Sequence, residues 1–225
     1  MFLTPLTSPC SVVYLITVYY YIKEIIKNIY FHIRLCLYER SEQKGMIRFM
    51  KIFVVGGKSG SGKGEVAKMI EEYYIYKLKK CVVTEFSKYL KEFAKELTDW
   101  DGVSQNKPRD FLQSFGSTIR NYDKYFFTKR MIEDINIYAL ANIDVVVISD
   151  ARMPEEFEEM KENYDDVYSI LVENQFAKSK LTVEQQAHIT ETALEDYDEF
   201  DITLANDNLD LLKQKVFKFL DEVEK

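Results

Sequence analysis

The sequence predicts an α/β fold in which short buried strands alternate with amphipathic helices. Three observations predict it. Apolar runs of strand length recur along the chain, segments with apolar residues at i, i+3 and i+4 separate them, and a glycine-rich stretch joins the first run to the first such segment. This alternation is typical of a parallel sheet covered by helices through right-handed crossovers.

Five apolar runs are the predicted strands. The first, "KIFVV" at residues 51–55, is nearly continuous, which suits a strand buried on both faces of a parallel sheet. The other four are "CVVTEF" at 81–86, "DVVVIS" leading into Asp150, "VYSILVE" at 167–173 and "FDITLAND" at 200–207.

The segments between the strands are predicted helices. Residues 64–78 place Val66, Met69, Ile70 and Tyr73 on one face. Later helical segments have their own signals, namely Ser87 as a cap, a long helical stretch over 107–142 interrupted near Gly116, Pro154 in a first turn, a Thr182–Gln185 capping box, and a closing helix over 209–223.

The glycine-rich stretch "GGKSGSGKGE" follows the pattern G-x-x-x-x-G-K through Gly57, Gly62 and Lys63. A strand before it and a helix after it are the context this phosphate-binding loop requires. Its N–H groups and the helix N-terminus form a concave anion site, and Lys63 would reach the β- and γ-phosphates of ATP. The predicted nucleotide-binding residues are Gly57, Lys58, Ser59, Gly60, Ser61, Gly62, Lys63, Gly64 and Glu65.

The motif therefore predicts a P-loop NTPase fold, with a five-stranded parallel sheet flanked by helices and a short lid segment between strands four and five. It departs from the pattern at Gly64, where a Ser or Thr hydroxyl normally contacts Mg²⁺. Asp150, at the carboxyl end of a buried strand, is the predicted Mg²⁺ ligand, with helix capping as its alternative role.

Arginine is scarce in the domain, and this makes each one a candidate for phosphate binding. From residue 51 onward the sequence has four, Arg109, Arg120, Arg130 and Arg152. Arg120 and Arg152 are predicted to contact the transferring phosphoryl group, together with Lys63 as catalytic cations. Arg109 is a candidate for the acceptor pocket, and Arg130 for an exposed ion pair. Lys88 and Lys91 fit either an acceptor site or a solvated helix face.

Residues 51–223 resemble the P-loop nucleoside monophosphate kinases, most closely the deoxynucleoside monophosphate kinases of phages and bacteria and more distantly phosphomevalonate kinase. The resemblance rests on "GGKSGSGKGEVA", "FSKYLKEFAKEL", "PRDFLQSFGSTIR", "VVISDARMPEEFEEM", "HITETAL" and "DITLANDNLDLLKQKV". It implies a base-binding loop at Asn206 and a closing-segment or structural role for His188 and Glu191.

The first 49 residues differ from the rest of the chain. Residues 1–22 carry no charge, yet Pro5 and Pro9 leave only Val12–Ile22 convincingly apolar. Three interpretations stay open: a dispensable extension with translation beginning at Met46 or Met50, a membrane-associating segment, or a genuine ordered addition. The predicted domains are thus residues 1–49 and 50–225.

The net charge of −7 and the lack of a clustered basic run argue against nucleic acid as a partner. Three widely spaced cysteines give no disulfide framework, and we expect a cytoplasmic protein. The sequence predicts an ATP- and Mg²⁺-dependent kinase acting on a small phosphate-bearing acceptor. Its alternative is a nucleotide-binding regulatory module with little catalysis, which Gly64 favours.

Overall fold

The computed structural model describes residues 50–174 and 181–225. The interpretations of residues 1–49 lie outside these ranges and stay predictions. Within the described residues, no helix combines the length and the apolar character needed to cross a membrane.

Five parallel strands form the sheet, as predicted. They are β1 (Lys51–Gly56), β2 (Cys81–Thr84), β3 (Val145–Ala151), β4 (Val167–Glu173) and β5 (Ile202–Ala205). Their order across the sheet is β2-β3-β1-β4-β5. The register pairs Phe53 of β1 with Val147 of β3 on one side and with Tyr168 of β4 on the other. From β1 the chain crosses to the edge strand β2, returns to β3 beside β1, and continues on the other side of β1 with β4 and β5. Ligands of open α/β sheets bind at the carboxyl ends of such central strands.

The helices follow the predicted segments closely. They are α1 (Lys63–Tyr76), α2 (Lys88–Leu97), α3 (Arg109–Tyr122), α4 (Phe126–Leu140), α5 (Pro154–Asn163), two single turns α6 (Val183–Gln186) and α7 (Ile189–Thr192), and α8 (Leu209–Val223). Pro154 begins α5, and Thr182 with Gln185 forms the capping box of α6, as predicted.

Two local predictions were wrong. The interruption in the helical stretch 107–142 lies between α3 and α4 rather than at Gly116, because Gly116 is buried inside α3 against Leu90. A Cβ at Gly116 would lie 3.2 Å from Leu90 Cδ2, so this glycine permits close helix packing rather than a break. Ser87 occupies the N-cap position of α2 without a capping hydrogen bond, since its hydroxyl binds Asp150 instead.

Both faces of the sheet are buried, which explains the continuous apolar strands. Ile52 and Val54 of β1 face one core, which contains Phe157 and Leu90; Phe53 and Val55 face the other, which α1 and α8 cover. Because side chains alternate along a strand, each strand contributes to both cores. The crevice at the carboxyl edge is therefore built on a rigid double-sided support.

Candidate active site

The phosphate-binding loop between β1 and α1 is shaped by two glycines that cannot be replaced without strain. Gly57 has φ 137°, and a Cβ there would lie 2.3 Å from the carbonyl oxygen of Val172 in β4. Gly62 has φ 104°, and its Cβ would lie 2.1 Å from Asn206 Nδ2. Both φ values belong to the region that favours glycine. The loop is thus wedged between the ends of β4 and β5.

Asn206 supports this loop directly. Its side-chain amide donates to the carbonyl oxygen of Ser61 at 2.9 Å, and its own N–H donates to the carbonyl oxygen of Glu173 at 2.7 Å. The structure thus places Asn206 against the loop backbone. Its predicted contact with a base stays a prediction.

Lys63 is a buried cation at the start of α1. Its side chain is folded back over the loop, where Nζ donates to the carbonyl oxygens of Gly57 at 2.6 Å and Lys58 at 2.7 Å. The pKa of Lys63 is lowered to about 7, chiefly by burial and then by the nearby charge of Arg152. The charges of Glu191 and Asp150 oppose this shift. A polyphosphate at this loop would supply the negative charge that the site lacks.

Gly64 lies in the first turn of α1 with free space beside it. It has none of the positive φ values found at other loop glycines, and an added Cβ would meet nothing within 4 Å. The fold therefore does not require glycine at this position, because a Cβ would fit here without a clash.

Asp150 is engaged by the turn that follows β2. Its Oδ1 accepts the N–H of Phe86 at 2.7 Å, and its Oδ2 accepts the N–H of Ser87 at 3.2 Å and the Ser87 hydroxyl at 2.5 Å. The carboxylate thus stabilises the N-terminus of α2. This resembles the helix-capping role predicted as its alternative, but at α2 rather than at α5.

The carboxylates near the loop could hold Mg²⁺ only together with other ligands, namely phosphate oxygens and waters. Within residues 50–174 and 181–225, no cluster of three acidic, histidine or cysteine side chains could enclose a metal. Mg²⁺ in phosphoryl-transfer sites is held by one or two carboxylates together with phosphate oxygens and waters, and Asp150 lines the cavity with lone pairs left over. When bound, the ion would offset charge on the phosphates.

Arg120 of α3 forms a buried ion pair with Glu156 at the start of α5. Its Nη2 lies 3.1 Å from Glu156 Oε1, and its guanidinium stacks 4.7 Å from the centre of the Phe127 ring. The other oxygen, Glu156 Oε2, accepts the backbone N–H groups of Arg152 and Met153. Burial raises the pKa of Glu156, and Arg120 opposes that rise. Glu156 therefore binds the side chain of Arg120 and the backbone of Arg152.

Arg152 follows β3 and binds the segment between β4 and β5. Its Nη1 lies 2.5 Å from Glu191 Oε1 in α7 and 3.3 Å from the carbonyl oxygen of Thr190. Glu191 Oε2 in turn accepts the N–H of Ser59 in the phosphate-binding loop at 2.7 Å. Glu191 therefore joins the loop to Arg152 through one carboxylate.

These groups line one cavity of about 450 Å³. Its lining includes Gly60, Gly62, Lys63 and Gly64 of the loop together with Arg120, Asp150, Arg152 and Glu156. The lining further includes three cations, which are Lys91 of α2, Lys107 just before α3, and Arg109 at the start of α3.

Lys107 and Arg109 form a cationic wall in this cavity. Lys91 is neutralised by Glu85, whereas within the described residues no ion pair joins Lys107 or Arg109 to a carboxylate. Burial lowers the pKa of Lys107 to about 8, and the nearby charges of Lys91 and Arg109 add to the shift. Uncompensated cations that crowd one another in a cavity indicate a place for an anion.

The remaining candidates lie elsewhere or have structural contacts. Lys88 pairs with Asp134 at 2.6 Å and does not line the cavity. Arg130 forms the expected exposed ion pair with Glu133. His188 caps α7, and its Nε2 lies 3.0 Å from the Ser117 hydroxyl of α3, which agrees with a structural role.

Sequence reasoning missed Lys107 and Glu156. The signal for Lys107 was "NKPRD", where two cations flank a proline at a helix start. The signal for Glu156 was the glutamate pair after Pro154, at a helix N-terminus that favours acidic side chains. In both cases the sequence showed the charge but not the partner.

The parallel sheet, the loop and its lysine define a P-loop kinase-like protein. The family model for phosphomevalonate kinase matches residues 55–166, just under half of the chain. The chain is therefore similar to that family from the end of β1 to just beyond α5. This range includes the loop, Asp150 and all four of the arginines named above. The likeness to deoxynucleoside monophosphate kinases stays a prediction.

Two solved structures align with the chain at low identity. An APS kinase of Mycobacterium tuberculosis, studied as a cysteine-to-alanine mutant, is 17% identical with a TM-score of 0.42, covering 76% of this chain and 97% of its own. A sugar kinase of Janibacter is 14% identical with a TM-score of 0.41, covering 76% of this chain and 95% of its own. No functionally curated protein matches the sequence.

Proposed function

We propose that this protein transfers the γ-phosphoryl group of ATP to a small phosphate monoester. One observation carries the proposal: the phosphate-binding loop and the cationic wall of Lys107 and Arg109 line the same cavity. A donor site alone needs only the loop. A second cationic region in the same cavity supports a second phosphate-bearing ligand, which would meet the donor there.

The roles of the residues follow from their charges. The loop amides and Lys63 would hold the β- and γ-phosphates, and Arg152 and Arg120 would offset charge that develops on the transferring group. Lys107 and Arg109 would bind the acceptor's own phosphate, so that an acceptor oxygen is held near the γ-phosphorus. Asp150 is the proposed Mg²⁺ ligand.

Two classes of acceptor are the leading candidates. The resemblance of the motifs favours a (deoxy)nucleoside monophosphate, and the family match over residues 55–166 favours phosphomevalonate. Both carry a phosphate monoester, and Phe86, Leu90, Leu112 and Leu181 add apolar surface to the same cavity. The alternative function, a nucleotide-binding regulatory module, is favoured by Gly64, which offers no hydroxyl to a metal.

A coupled assay for ADP tests the proposal. The protein is incubated with ATP, Mg²⁺ and, one at a time, ribo- and deoxyribonucleoside monophosphates and phosphomevalonate. We expect one acceptor to raise ADP formation far above the rate without acceptor. If every acceptor leaves that rate unchanged while ATP binds, the regulatory-module alternative replaces the proposal.

The acceptor wall has its own test in the same assay. Lys107→Met removes one charge proposed to contact the acceptor phosphate, so the acceptor KM should rise about tenfold or more, and by a larger factor than the KM for ATP. Arg130→Met is the matched control, because it removes a cation from an exposed pair with Glu133 outside the cavity lining. Equal effects of the two substitutions would contradict the assignment.

A further inference from the structure

Glu191 holds a position that an anionic ligand of the loop would also need. Its side chain is 9% exposed, and its two oxygens contact the Ser59 N–H at 2.7 Å and Arg152 Nη1 at 2.5 Å. A loop N–H together with a guanidinium is a donor set suited to a phosphate oxygen. In this structure, a carboxylate of the protein occupies that donor set.

The position of Glu191 is fixed by its neighbours on both sides. The ring of His188 accepts the N–H of Thr190 at the start of α7 and contacts Ser117 of α3. Four residues beyond Glu191, Glu195 pairs with Lys58 in the loop. The segment therefore rests on α3 at one end and on the loop at the other, with Glu191 between them.

We infer that Glu191 is a specificity-determining residue that distinguishes nucleoside triphosphates from diphosphates, because the terminal phosphate of a triphosphate displaces its carboxylate from Ser59 and Arg152. Two anions cannot share these donors without strong repulsion at contact distance. A phosphate carries more charge and more acceptor oxygens than a carboxylate, so it can replace both contacts.

The displacement of the Glu191 carboxylate has a direct consequence for nucleotide selection. A diphosphate reaches the N-terminus of α1 and Lys63 and leaves the Glu191 contacts in place. A triphosphate must break them, so its affinity is reduced by the free energy of the contacts that it replaces. Removing the carboxylate charge should then favour the triphosphate selectively.

Calorimetric binding of ADP and of β,γ-imido-ATP to Glu191→Gln tests this inference. The titrations are run at pH 5.5, well below the Lys63 pKa of about 7, because loss of the Glu191 charge lowers that pKa further and the lysine must stay protonated in both proteins. We expect the affinity for the triphosphate analogue to rise roughly tenfold and that for ADP to change less than about threefold.

Glu195→Gln is the matched control. It removes a carboxylate from the same segment, but one that pairs with the exposed Lys58 side chain rather than with the Ser59 N–H. Its affinities for the two nucleotides should change by the same factor. If Glu191→Gln leaves the ratio of the two affinities unchanged, or weakens triphosphate binding, the inference is overturned.

Hydrogen exchange of the wild-type protein gives a second test that does not depend on folding of the variant. Amides of residues 189–192 should exchange faster with the triphosphate analogue bound than with ADP bound, since the Glu191 contacts are broken. Equal or slower hydrogen exchange would show that Glu191 keeps its partners and would refute its displacement by the terminal phosphate.

The inference rests on the proposed function only in taking a nucleoside triphosphate as the donor. Both tests measure binding without turnover, so their outcome is separate from the acceptor assay. If Glu191→Gln gains affinity selectively for the triphosphate and no acceptor is phosphorylated, the displacement of Glu191 is upheld and the kinase function is refuted. If an acceptor is phosphorylated and the ratio of triphosphate to ADP affinity is unchanged, the kinase function is upheld and the displacement is refuted.

Discussion

At the scale of single residues, Lys63 makes nucleotide binding depend on pH. Its pKa is lowered from 10.5 to about 7 in the empty site, chiefly by burial. Bound phosphates would raise that pKa again, so binding takes up a proton at any pH above about 7. Since the free protein loses this proton as the pH rises, nucleotide affinity must fall with increasing pH.

We therefore expect the ATP affinity to fall roughly fifteenfold between about pH 7 and 8.5, relative to a protein without this lysine. Calorimetry of wild type and Lys63→Ala over this range measures the ratio, and the shared titration of ATP itself cancels. The sign is opposite for folding: because the lysine pKa is lowered in the folded state, the apo protein becomes more stable as the pH rises from about 7 toward 10.5. A pH-independent ratio would contradict this account of Lys63.

Gly64 is a second single residue that can be tested, because we expect it to determine the Mg²⁺ concentration needed for half-saturation. Because nothing lies within 4 Å of an added Cβ, Gly64→Thr can present a hydroxyl where the usual loop has one. We expect half-saturation with Mg²⁺ to shift to lower concentration in the Thr variant, measured as the rate of ADP formation in a Mg²⁺ titration. Gly64→Val has the same shape without the hydroxyl and should leave the midpoint where it is in wild type. A common shift in both variants would assign the effect to shape instead of metal ligation.

The residues of the loop could be predicted because a local motif encodes them, whereas their partners could not. Arg120 and Arg152 stood out because arginine is scarce in the domain and because of where they lie in the sequence, Arg152 two residues past a buried strand. Their ion pairs with Glu156 and Glu191 join residues 36 and 39 positions apart, across different elements. No periodicity or spacing rule connects such positions, so only the fold shows that each arginine already has an acidic partner.

At the scale of elements, Asp150 links the end of β3 to the turn between β2 and α2. Its carboxylate accepts three hydrogen bonds from Phe86 and Ser87, so it positions that turn at the cavity wall. The helix N-terminus that it stabilises begins at Lys88. Loss of the charge therefore affects both the turn and the predicted metal contact.

We expect Asp150→Asn to lower the free energy of unfolding by about 1–2 kcal/mol and to abolish turnover at every Mg²⁺ concentration while ATP still binds. Ser87→Ala separates the two effects, because it removes one hydrogen bond from the turn and leaves the carboxylate. It should be destabilised to a similar degree in urea unfolding and should remain active. Equal loss of activity in both variants would show that the turn, and not the carboxylate, is what catalysis needs.

The elements themselves were predictable to within a few residues, since each has a clear period and apolar face. The break near Gly116 was wrong for a physical reason. Glycine is a weak helix former, but here its lack of a side chain allows α3 to approach Leu90 of α2. The local sequence shows the cost of a glycine and not the packing that it permits.

At the scale of the whole molecule, Met50 limits where the kinase-like domain can begin. Its side chain is 4% exposed and packs in the same core as Ile52 and Val146. A protein that starts at Met50 would bring a charged amino group next to this buried side chain. A start at Met46 puts four residues between the terminus and this side chain.

We therefore expect a protein that begins at Met46 to unfold within about 2 °C of the full chain and to bind ATP equally well. The protein that begins at Met50 serves as the comparison and should unfold at a lower temperature. Thermal unfolding and calorimetry of the three proteins decide this. Aggregation or lost ATP binding in the Met46 protein would show that the first 45 residues are part of the functional fold.

³¹P NMR can follow the proposed transfer of a phosphoryl group from ATP to an acceptor phosphate held in the same cavity. ATP, Mg²⁺ and the acceptor selected by the ADP assay are incubated with wild type and with Lys63→Ala. The account predicts that the acceptor monoester signal is replaced by a coupled pair of diphosphate signals in amounts equal to the ADP formed, and that Lys63→Ala slows this by a factor of about 10² to 10³. ADP accompanied only by orthophosphate, or no change in the acceptor signal, would contradict it.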